Sequence, residues 1–295
     1  MEIIEPLGFK GLFGFGRTKM EIGIDPVLFE IGSLEVRWYG VMVALAVLVG
    51  VTVPALLARK EGLGGITQNQ IVSMAIWAVP GGIIGARLIH VFDRWSYFAD
   101  HPLEIFGGAG MGIFGAILGG TLVGVLYARV KGIPVGRLCD VCAFGLLLAQ
   151  AVGRIGCTLN GCCYGTATDL PWGTMWTNRH SDGFNDTAAS GISVHPTQLY
   201  ELIFDLCVFA FLWFIRKKIG PPGALYLIYI SIYSLGRFFI SFLRVNDEAF
   251  LGLNQAQVVS IVVLVIAVGW LVYLYRKQPS GPESLSTGDS DNVAE

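Results

Sequence analysis

Apolar residues occur along this chain in long runs that short polar segments separate. A helix that crosses the hydrocarbon core of a bilayer needs about 20 mostly apolar residues. Seven stretches approach this requirement, namely 39–58, 71–92, 111–128, 138–155, 198–215, 223–241 and 256–275. The pattern therefore predicts an all-α integral membrane protein with about seven transmembrane helices.

The composition agrees with a membrane protein. Of the 295 residues, 54% are hydrophobic and only 14% are charged. The basic residues are dispersed and the formal net charge is −2, which argues against a nucleic-acid partner, because phosphate backbones are bound by concentrated basic surfaces. The six cysteines do not form two CxxC pairs, and no His/Cys pairing suggests structural zinc. We therefore expect no metal and no cofactor.

The positions of Lys and Arg predict the orientation of the spans. Cytoplasmic loops hold an excess of these residues. Every second connection is basic, with Arg59 and Lys60, then Arg129, Lys131 and Arg137, then Arg216, Lys217 and Lys218, and finally Arg276 and Lys277. The opposite connections hold only Arg94 and Arg179. This alternation favours seven spans, with the N-terminus outside and the C-terminus in the cytoplasm.

Two connections differ from tight turns. The segment 156–197 is long and polar, which predicts a small outward-facing cap between spans four and five, with Trp172 and Trp176 suited to the headgroup region. A glycine-rich run leads into span three. Its glycines permit close helix packing or close backbone approach to a lipid headgroup, and they are Gly107, Gly108, Gly110, Gly112, Gly115, Gly119 and Gly120.

Three arginines fall within predicted spans. Arg87, Arg154 and Arg237 lie near the outer ends of spans two, four and six. An ionised side chain at membrane depth costs roughly 3 kcal/mol or more, so each arginine needs a partner. Guanidinium groups gathered at one depth would bind a phosphate through paired hydrogen bonds. The alternative is that each extends to the interface or pairs with a carboxylate such as Glu201.

Polar side chains also gather where span five begins. His195, Gln198, Tyr200 and Glu201 bring an imidazole, an amide, a phenol and a carboxylate to the same outer level. Pro196 suits the start of a helix, where its missing N–H has no intrahelical partner. These groups are candidates for contact with a lipid headgroup. Hydrogen bonding that only stabilises the structure is the alternative.

Three cysteines follow span four in the predicted arrangement. Cys157, Cys162 and Cys163 lie just outside its end. They could be packing residues, could form a disulfide on the outer side, or could include a reactive thiolate near Arg154. A vicinal bridge between Cys162 and Cys163 would be strained.

Five short motifs follow one another along the chain. They are Arg37-Trp38-Tyr39-Gly40, Gly85-Ala86-Arg87, Gly153-Arg154-Ile155-Gly156 through Asn160-Gly161 to Tyr164-Gly165, His195-Pro196-Thr197-Gln198-Leu199-Tyr200-Glu201, and Tyr233 through Gly236-Arg237 to Arg244. In this order they resemble the motifs of the prolipoprotein diacylglyceryl transferase family, and the resemblance extends from about Ile24 to Tyr275.

The resemblance implies an enzyme of the bacterial plasma membrane. It would move the diacylglyceryl group of phosphatidylglycerol to the lipobox cysteine of a prolipoprotein, and glycerol 1-phosphate would leave. In this family Arg154 would bind the lipid, and Arg237 and Tyr233 would be catalytic with it. The lipid-binding set that we predict also contains Arg87, Gly165, His195, Gln198, Tyr200, Glu201 and Arg244.

The chain departs from the family at three positions. Many members carry histidine, asparagine and glutamate where this chain has Phe114, Cys157 and Cys162. These differences leave open which group accepts the proton of the acceptor thiol. They also leave open a lipid-binding or transport paralogue without transferase activity and, on the cysteines alone, a thiol redox protein.

The sequence predicts three segments. Residues 1–23 are expected to be an N-terminal extension, since family members commonly begin near the segment that follows Met20. The alternative is a misplaced start, with translation beginning at Met20. Residues 24–277 are expected to form the seven-span transferase domain. Residues 278–295 are rich in Ser, Gly, Asp and Glu, which predicts a disordered cytoplasmic tail.

Overall fold

The computed structural model describes residues 19–32, 34–61, 65–106, 112–244, 248–250 and 252–277. Within these ranges the chain is mostly helical. The α-helices are α1 (Trp38–Glu61), α2 (Gln68–Asp93), α3 (Trp95–Asp100), α4 (Ile113–Val130), α5 (Val135–Asn160), α6 (Thr197–Ile215), α7 (Ala224–Ile240) and α8 (Gln255–Lys277). Most of the predicted extension and all of the predicted tail lie outside the described residues.

The predicted membrane architecture is confirmed. Six of these helices are long and apolar enough to cross a bilayer, and α4 adds a shorter apolar helix over Gly115–Val130. Large apolar side chains such as Leu126, Phe214 and Val265 are exposed on the helix surfaces. Exposed apolar faces of this extent suit contact with lipid, because apolar side chains in the core of a bilayer meet hydrocarbon instead of water.

The main difference from the predicted spans is at the end of α5. The helix continues to Asn160 and ends at Gly161, whose φ of 76° lies in the left-handed region that glycine adopts at helix ends. Cys157 was expected just outside span four, and this was wrong, because it lies inside the last turns of α5. Only Cys162 and Cys163 follow the helix.

Close packing of glycines joins α2 to α4. A Cβ atom on Gly85 would lie 2.3 Å from the carbonyl oxygen of Gly115, and one on Gly119 would lie 2.4 Å from that of Gly81. Both helices thus present two glycines four residues apart to each other, a spacing that lets backbones approach in membranes. Of the two interpretations of the glycine-rich run, helix packing applies to Gly115 and Gly119. Gly107, Gly108 and Gly110 lie outside the described residues.

The helix α5 forms the centre of the second packing unit. Its Phe144 and Leu147 are buried with Leu212 of α6 and Tyr229 of α7 in one apolar cluster. Gly145 faces α1, where an added Cβ would lie 2.5 Å from the Pro54 ring. The core therefore fixes α5 against α1, α6 and α7, and these contacts set the position of the polar residues at the end of α5.

Short strands, which the sequence pattern did not predict, lie outside the spans. Among the described residues they form three two-stranded sheets. The parallel pair is β1 (Met20–Ile22) with β4 (Thr174–Trp176), and the antiparallel pairs are β2 (Val27–Ile31) with β3 (Leu34–Arg37) and β5 (Glu248–Phe250) with β6 (Leu253–Asn254). Strands of two to five residues are too short for a distinct alternating pattern.

The segment between α5 and α6 folds as a cap around Trp176. This indole is fully buried and donates to the carbonyl oxygen of Thr158 over 2.8 Å. It therefore stabilises the cap, and the expectation that it suits the headgroup region was wrong. Trp172 is exposed. The Tyr164 hydroxyl donates to Asp186, and burial together with this carboxylate raises the pKa of the phenol.

Candidate active site

Three helices bring charged side chains to one end of the bundle. Arg154 lies near the C-terminal end of α5, Glu201 begins the second turn of α6, and Arg237 lies in the last turn of α7. Arg244 follows the short 3-10 helix Ser241–Leu243, which continues α7. Because α5 and α7 end where α6 begins, all these side chains reach the same level.

A single carboxylate holds three guanidinium groups. The Nη1 atoms of Arg237 and Arg244 lie 2.5 Å and 3.3 Å from Oε1 of Glu201, and Arg154 pairs with its Oε2. The Glu201 side chain is only 4% exposed, whereas the arginine side chains are between 12% and 21% exposed. The carboxylate is thus the buried centre of the cluster, and the guanidinium groups retain limited access from outside.

The cluster contains more positive than negative charge. The alternative prediction, that an arginine pairs with Glu201, describes the contacts of Arg154 and Arg237, but one carboxylate cannot neutralise three guanidinium groups. Asp205 lies one turn farther along α6 and is almost fully buried. Even with Asp205 ionised, one positive charge remains. An environment of low dielectric strengthens the attraction of such a cluster for an anion.

Polar atoms beside the cluster have unused hydrogen-bonding capacity. Among the described residues, Nε of Arg244, Oε1 of Gln198 and Oδ1 of Asp205 are buried without a hydrogen-bond partner. An unsatisfied buried polar group costs about 1–3 kcal/mol. The position of these atoms around the ion cluster suits a site that receives a polar ligand.

Tyr233 belongs to the same site. It lies one turn before Arg237 on α7, close to Arg154 and Glu201. Its ring centroid is 6.0 Å from that of Tyr229, whose hydroxyl donates to Oε1 of Gln150 over 3.1 Å. The three predicted catalytic residues, Arg154, Tyr233 and Arg237, therefore lie near one another.

The predicted polar group at the start of α6 divides into two sets of contacts. Nε2 of Gln198 donates to the carbonyl oxygen of Cys162 over 2.7 Å, so this side chain holds the turn after α5. His195 and Tyr200 lie together, with Nδ1 of the imidazole 3.3 Å from the phenolic oxygen. That oxygen also accepts from Nε1 of Trp172 over 2.8 Å.

Gly165 joins the cap to the segment that carries Arg244. An added Cβ at Gly165 would lie 2.3 Å from the carbonyl oxygen of Leu243 and 2.8 Å from Cβ of His195. Its N–H donates to the carbonyl oxygen of His195, and it forms a bridge with Arg244. Only glycine permits this approach, so Gly165 sets the distance between the cap and the ion cluster.

Arg87 has different surroundings from the other two arginines of the predicted trio. Its Nε donates to the carbonyl oxygen of Ile105 over 2.8 Å, and its Nη2 donates to that of Glu104. The guanidinium carbon lies 5.3 Å from the ring centroid of Phe98. These contacts favour a role in holding the segment after α2. The predicted lipid contact of Arg87 stays a prediction.

Two residues near the site were not among the predicted ones. Asp205 follows Glu201 by four residues, and such a pair of acids on one face of an apolar helix could have indicated a buried polar site. Thr197 donates to the carbonyl oxygen of Cys163 over 2.7 Å, a contact without a sequence signal. The side chain of Phe114, which occupies a position of interest in the family, lies outside the described part of the chain.

Comparison with known proteins agrees with the motifs. Residues 26–273 match the family model described as prolipoprotein diacylglyceryl transferase. A phosphatidylglycerol-prolipoprotein diacylglyceryl transferase of Dehalococcoides mccartyi is 46% identical over 88% of this chain and 96% of its own length. Proteins of the same name from Clostridioides difficile (38% identity, 86% and 97% covered) and Trichormus variabilis (40%, 86% and 91%) also match. The chain therefore belongs to the prolipoprotein diacylglyceryl transferase family.

Proposed function

We propose that this protein transfers the diacylglyceryl group of phosphatidylglycerol to the lipobox cysteine thiol of a prolipoprotein, the first step of lipoprotein maturation. The family and the names of its relatives support this activity. In the structure, the main support is the cluster of three arginines that contact the buried carboxylate of Glu201.

The reaction increases the negative charge on the phosphate. The thiol sulfur forms a bond to the glyceryl carbon, the bond from that carbon to the phosphate oxygen breaks, and glycerol 1-phosphate leaves. The phosphodiester carries one negative charge, whereas the departing monoester carries up to about two near neutral pH. An excess of fixed positive charge therefore stabilises the transition state more than the bound lipid, which accelerates the reaction.

In this scheme the arginines approach the phosphate from different parts of the fold. Arg154 and Arg237 approach Glu201 from different helices, and each guanidinium retains N–H groups that can donate to phosphate oxygens. Arg244 adds a third cation from the segment after α7. Glu201 keeps the guanidinium groups in place before the lipid arrives, so little reorganisation is needed on binding. Tyr233 offers a hydroxyl beside the same phosphate.

The other predicted lipid contacts occupy the rim of the site. His195 and Tyr200 are partly buried and connect to the exposed Trp172. We propose that this group meets the polar glycerol of the headgroup, while Gly165 and Gln198 hold the cap turn next to it. The thiol of the acceptor must lose its proton, which the departing phosphate or the surrounding water can accept.

We further propose that the site faces the outer side of a bacterial plasma membrane. The ion cluster lies at the helix ends opposite the basic connections that contain Arg59, Arg137 and Arg216. By the positive-inside rule those connections are cytoplasmic. A reporter that is active only in the cytoplasm should be active after Lys277 and silent near Asp182, and the reverse result would contradict this orientation.

Complementation tests the activity directly. The gene should restore growth and lipoprotein modification in a bacterium depleted of its own transferase, and the Arg237→Ala variant should not. The purified protein should also transfer labelled diacylglyceryl from phosphatidylglycerol to a lipobox peptide in detergent. Lipid binding without transfer would instead support a binding or transport paralogue.

A further inference from the structure

Three thiols converge at the end of α5. Cys157 lies in the last turns of the helix, and Cys162 and Cys163 follow Gly161 in the turn that leads into the cap. Their Sγ atoms all lie within 4.8 Å of one another, and all three side chains are partly buried and free of disulfides. This cluster lies beside the ion site and has no part in the transfer scheme.

Hydrogen bonds fix the backbone of this turn. The N–H of Cys162 donates to the carbonyl oxygen of Cys157 over 3.1 Å. On the other side, the buried side chains of Gln198 and Thr197 donate to the carbonyl oxygens of Cys162 and Cys163, each over 2.7 Å. The positions of the three thiols are thus set by α5 on one side and by the start of α6 on the other.

The backbone at Cys163 is in an unfavourable conformation. Its φ of 66° is the one positive value at a non-glycine position among the residues that the structure describes. The left-handed region costs a residue with a side chain roughly 1–2 kcal/mol. Such conformations persist where surrounding contacts over-determine them, and they concentrate at functional sites. With this conformation, Sγ of Cys163 lies within 4.8 Å of the other two sulfur atoms.

Three converging thiols suit a thiophilic cation better than a disulfide. Zinc–thiolate bonds of about 2.3 Å place the sulfur atoms about 4 Å apart, so a contraction of roughly 1 Å would close the triangle. A disulfide would use two sulfur atoms and leave the third unpaired.

We propose that Cys157, Cys162 and Cys163 form a trithiolate site for one thiophilic d¹⁰ metal ion, of which Zn²⁺ is the example we would test. Soft thiolate ligands select such ions. With three protein ligands, a tetrahedral ion keeps its fourth position for water or another small ligand. The bound ion would fasten the end of α5 to the cap turn, next to the arginine cluster.

Metal uptake tests the site without reference to transfer activity. The full chain is purified in detergent, reduced, treated with a chelator and titrated with Zn²⁺, and with Cd²⁺ as a spectroscopic probe. We expect about one ion per chain and a thiolate-to-cadmium charge-transfer absorption. Both should be lost when Cys157, Cys162 and Cys163 are changed to Ser together. Cys207→Ser, at an exposed position on α6, is the matched control and should bind metal normally.

Protection from alkylation gives a second test that needs no variant. In the native chain, one equivalent of Zn²⁺ should protect these three cysteines from a maleimide reagent, as read by peptide mass spectrometry, while Cys207 stays reactive. The proposal is overturned if the native chain takes up no more metal than the triple variant. It is also overturned if Zn²⁺ leaves the alkylation of the three thiols unchanged, or if the fully reduced chain binds neither Zn²⁺ nor Cd²⁺.

Discussion

Two regions of this molecule place arginine at membrane depth and satisfy it in different ways. Near the end of α2, Arg87 donates to the carbonyl oxygens of Glu104 and Ile105 and lies over the ring of Phe98. At the ends of α5 and α7, Arg154 and Arg237 instead share the carboxylate of Glu201, together with Arg244.

The difference shows how a buried charge can be classified by its partners. Backbone carbonyls and an aromatic ring satisfy Arg87 within the protein, which is what a structural cation requires. The Glu201 cluster concentrates positive charge that its own carboxylate cannot neutralise, and in the proposed function this excess is the property that would attract a phosphate. Helix depth alone, which placed all three arginines in one group, does not separate these cases.

Removal of the shared carboxylate should have the largest effect. Glu201→Gln leaves three guanidinium groups close together without the carboxylate that they share, and breaking a buried pair costs about 3–5 kcal/mol. We expect a marked drop in the thermal unfolding temperature in detergent and loss of transfer. Glu104→Gln, at a more exposed carboxylate that accepts from Tyr97, is the control and should stay close to the native protein. Equal stability of both variants would contradict the central position of Glu201.

The transfer rate should fall even when an arginine of the cluster is replaced by lysine, which keeps the positive charge. Arg154→Lys or Arg237→Lys removes the planar fork, and the lost charge-assisted hydrogen bonds correspond to about 1.5–3 kcal/mol. We therefore expect transfer to fall roughly ten- to hundredfold at near-native stability. Arg59→Lys, at an exposed position in α1, should be silent. Near-full rates in both variants would make these arginines interfacial anchors.

The glycine contact between α2 and α4 should affect stability rather than lipid binding. Gly85→Ala places a Cβ atom 2.3 Å from the carbonyl oxygen of Gly115, and overpacking of this kind costs about 1–3 kcal/mol. Gly269→Ala on α8 is the matched control, because an added Cβ there meets no atom within 4 Å. Thermal unfolding in detergent measures both. A Gly85→Ala protein as stable as the control would argue against close packing at this position.

Arg87→Lys should have the smallest effect on transfer. The substitution loses contacts to the carbonyl oxygens of Glu104 and Ile105, which reduces stability by about 1–2 kcal/mol. Transfer per folded molecule should stay within roughly twofold of the native rate. A tenfold loss of transfer in a stably folded variant would instead place Arg87 in the lipid site, as the sequence first suggested.

Much of the membrane domain could be predicted because its signal is local and repeated. Apolar runs of spanning length gave seven helices whose bounds differ from the observed ones by a few residues, with the largest difference at the end of α5. That helix continues to Asn160 because its last turns are stabilised by the cap, through contacts such as that between Trp176 and Thr158. Tertiary contacts of this kind are invisible in a hydropathy pattern.

The arrangement of the site could be predicted only in part. Arg154 and Arg237 were predicted from their depth and from family motifs, and Tyr233 from the motifs alone. The contact that the arginines share on Glu201 depends on how three helices pack. The thiol cluster shows the same limit, since the spacing of Cys157, Cys162 and Cys163 matches no common paired ligand pattern. Their convergence requires the left-handed turn at Gly161 and the unusual backbone of Cys163.

Direct lipid binding tests whether the excess positive charge around Glu201 binds the phosphate of phosphatidylglycerol. Labelled phosphatidylglycerol is titrated into the native protein and into the Arg154→Lys, Arg237→Lys and Arg87→Lys variants in detergent, with phosphatidylcholine, whose headgroup is neutral overall, as the comparison lipid. We predict that the first two substitutions weaken binding of phosphatidylglycerol roughly tenfold or more, while Arg87→Lys leaves the affinity nearly native. Equal affinity in all four proteins would show that Arg154 and Arg237 do not bind the phosphate.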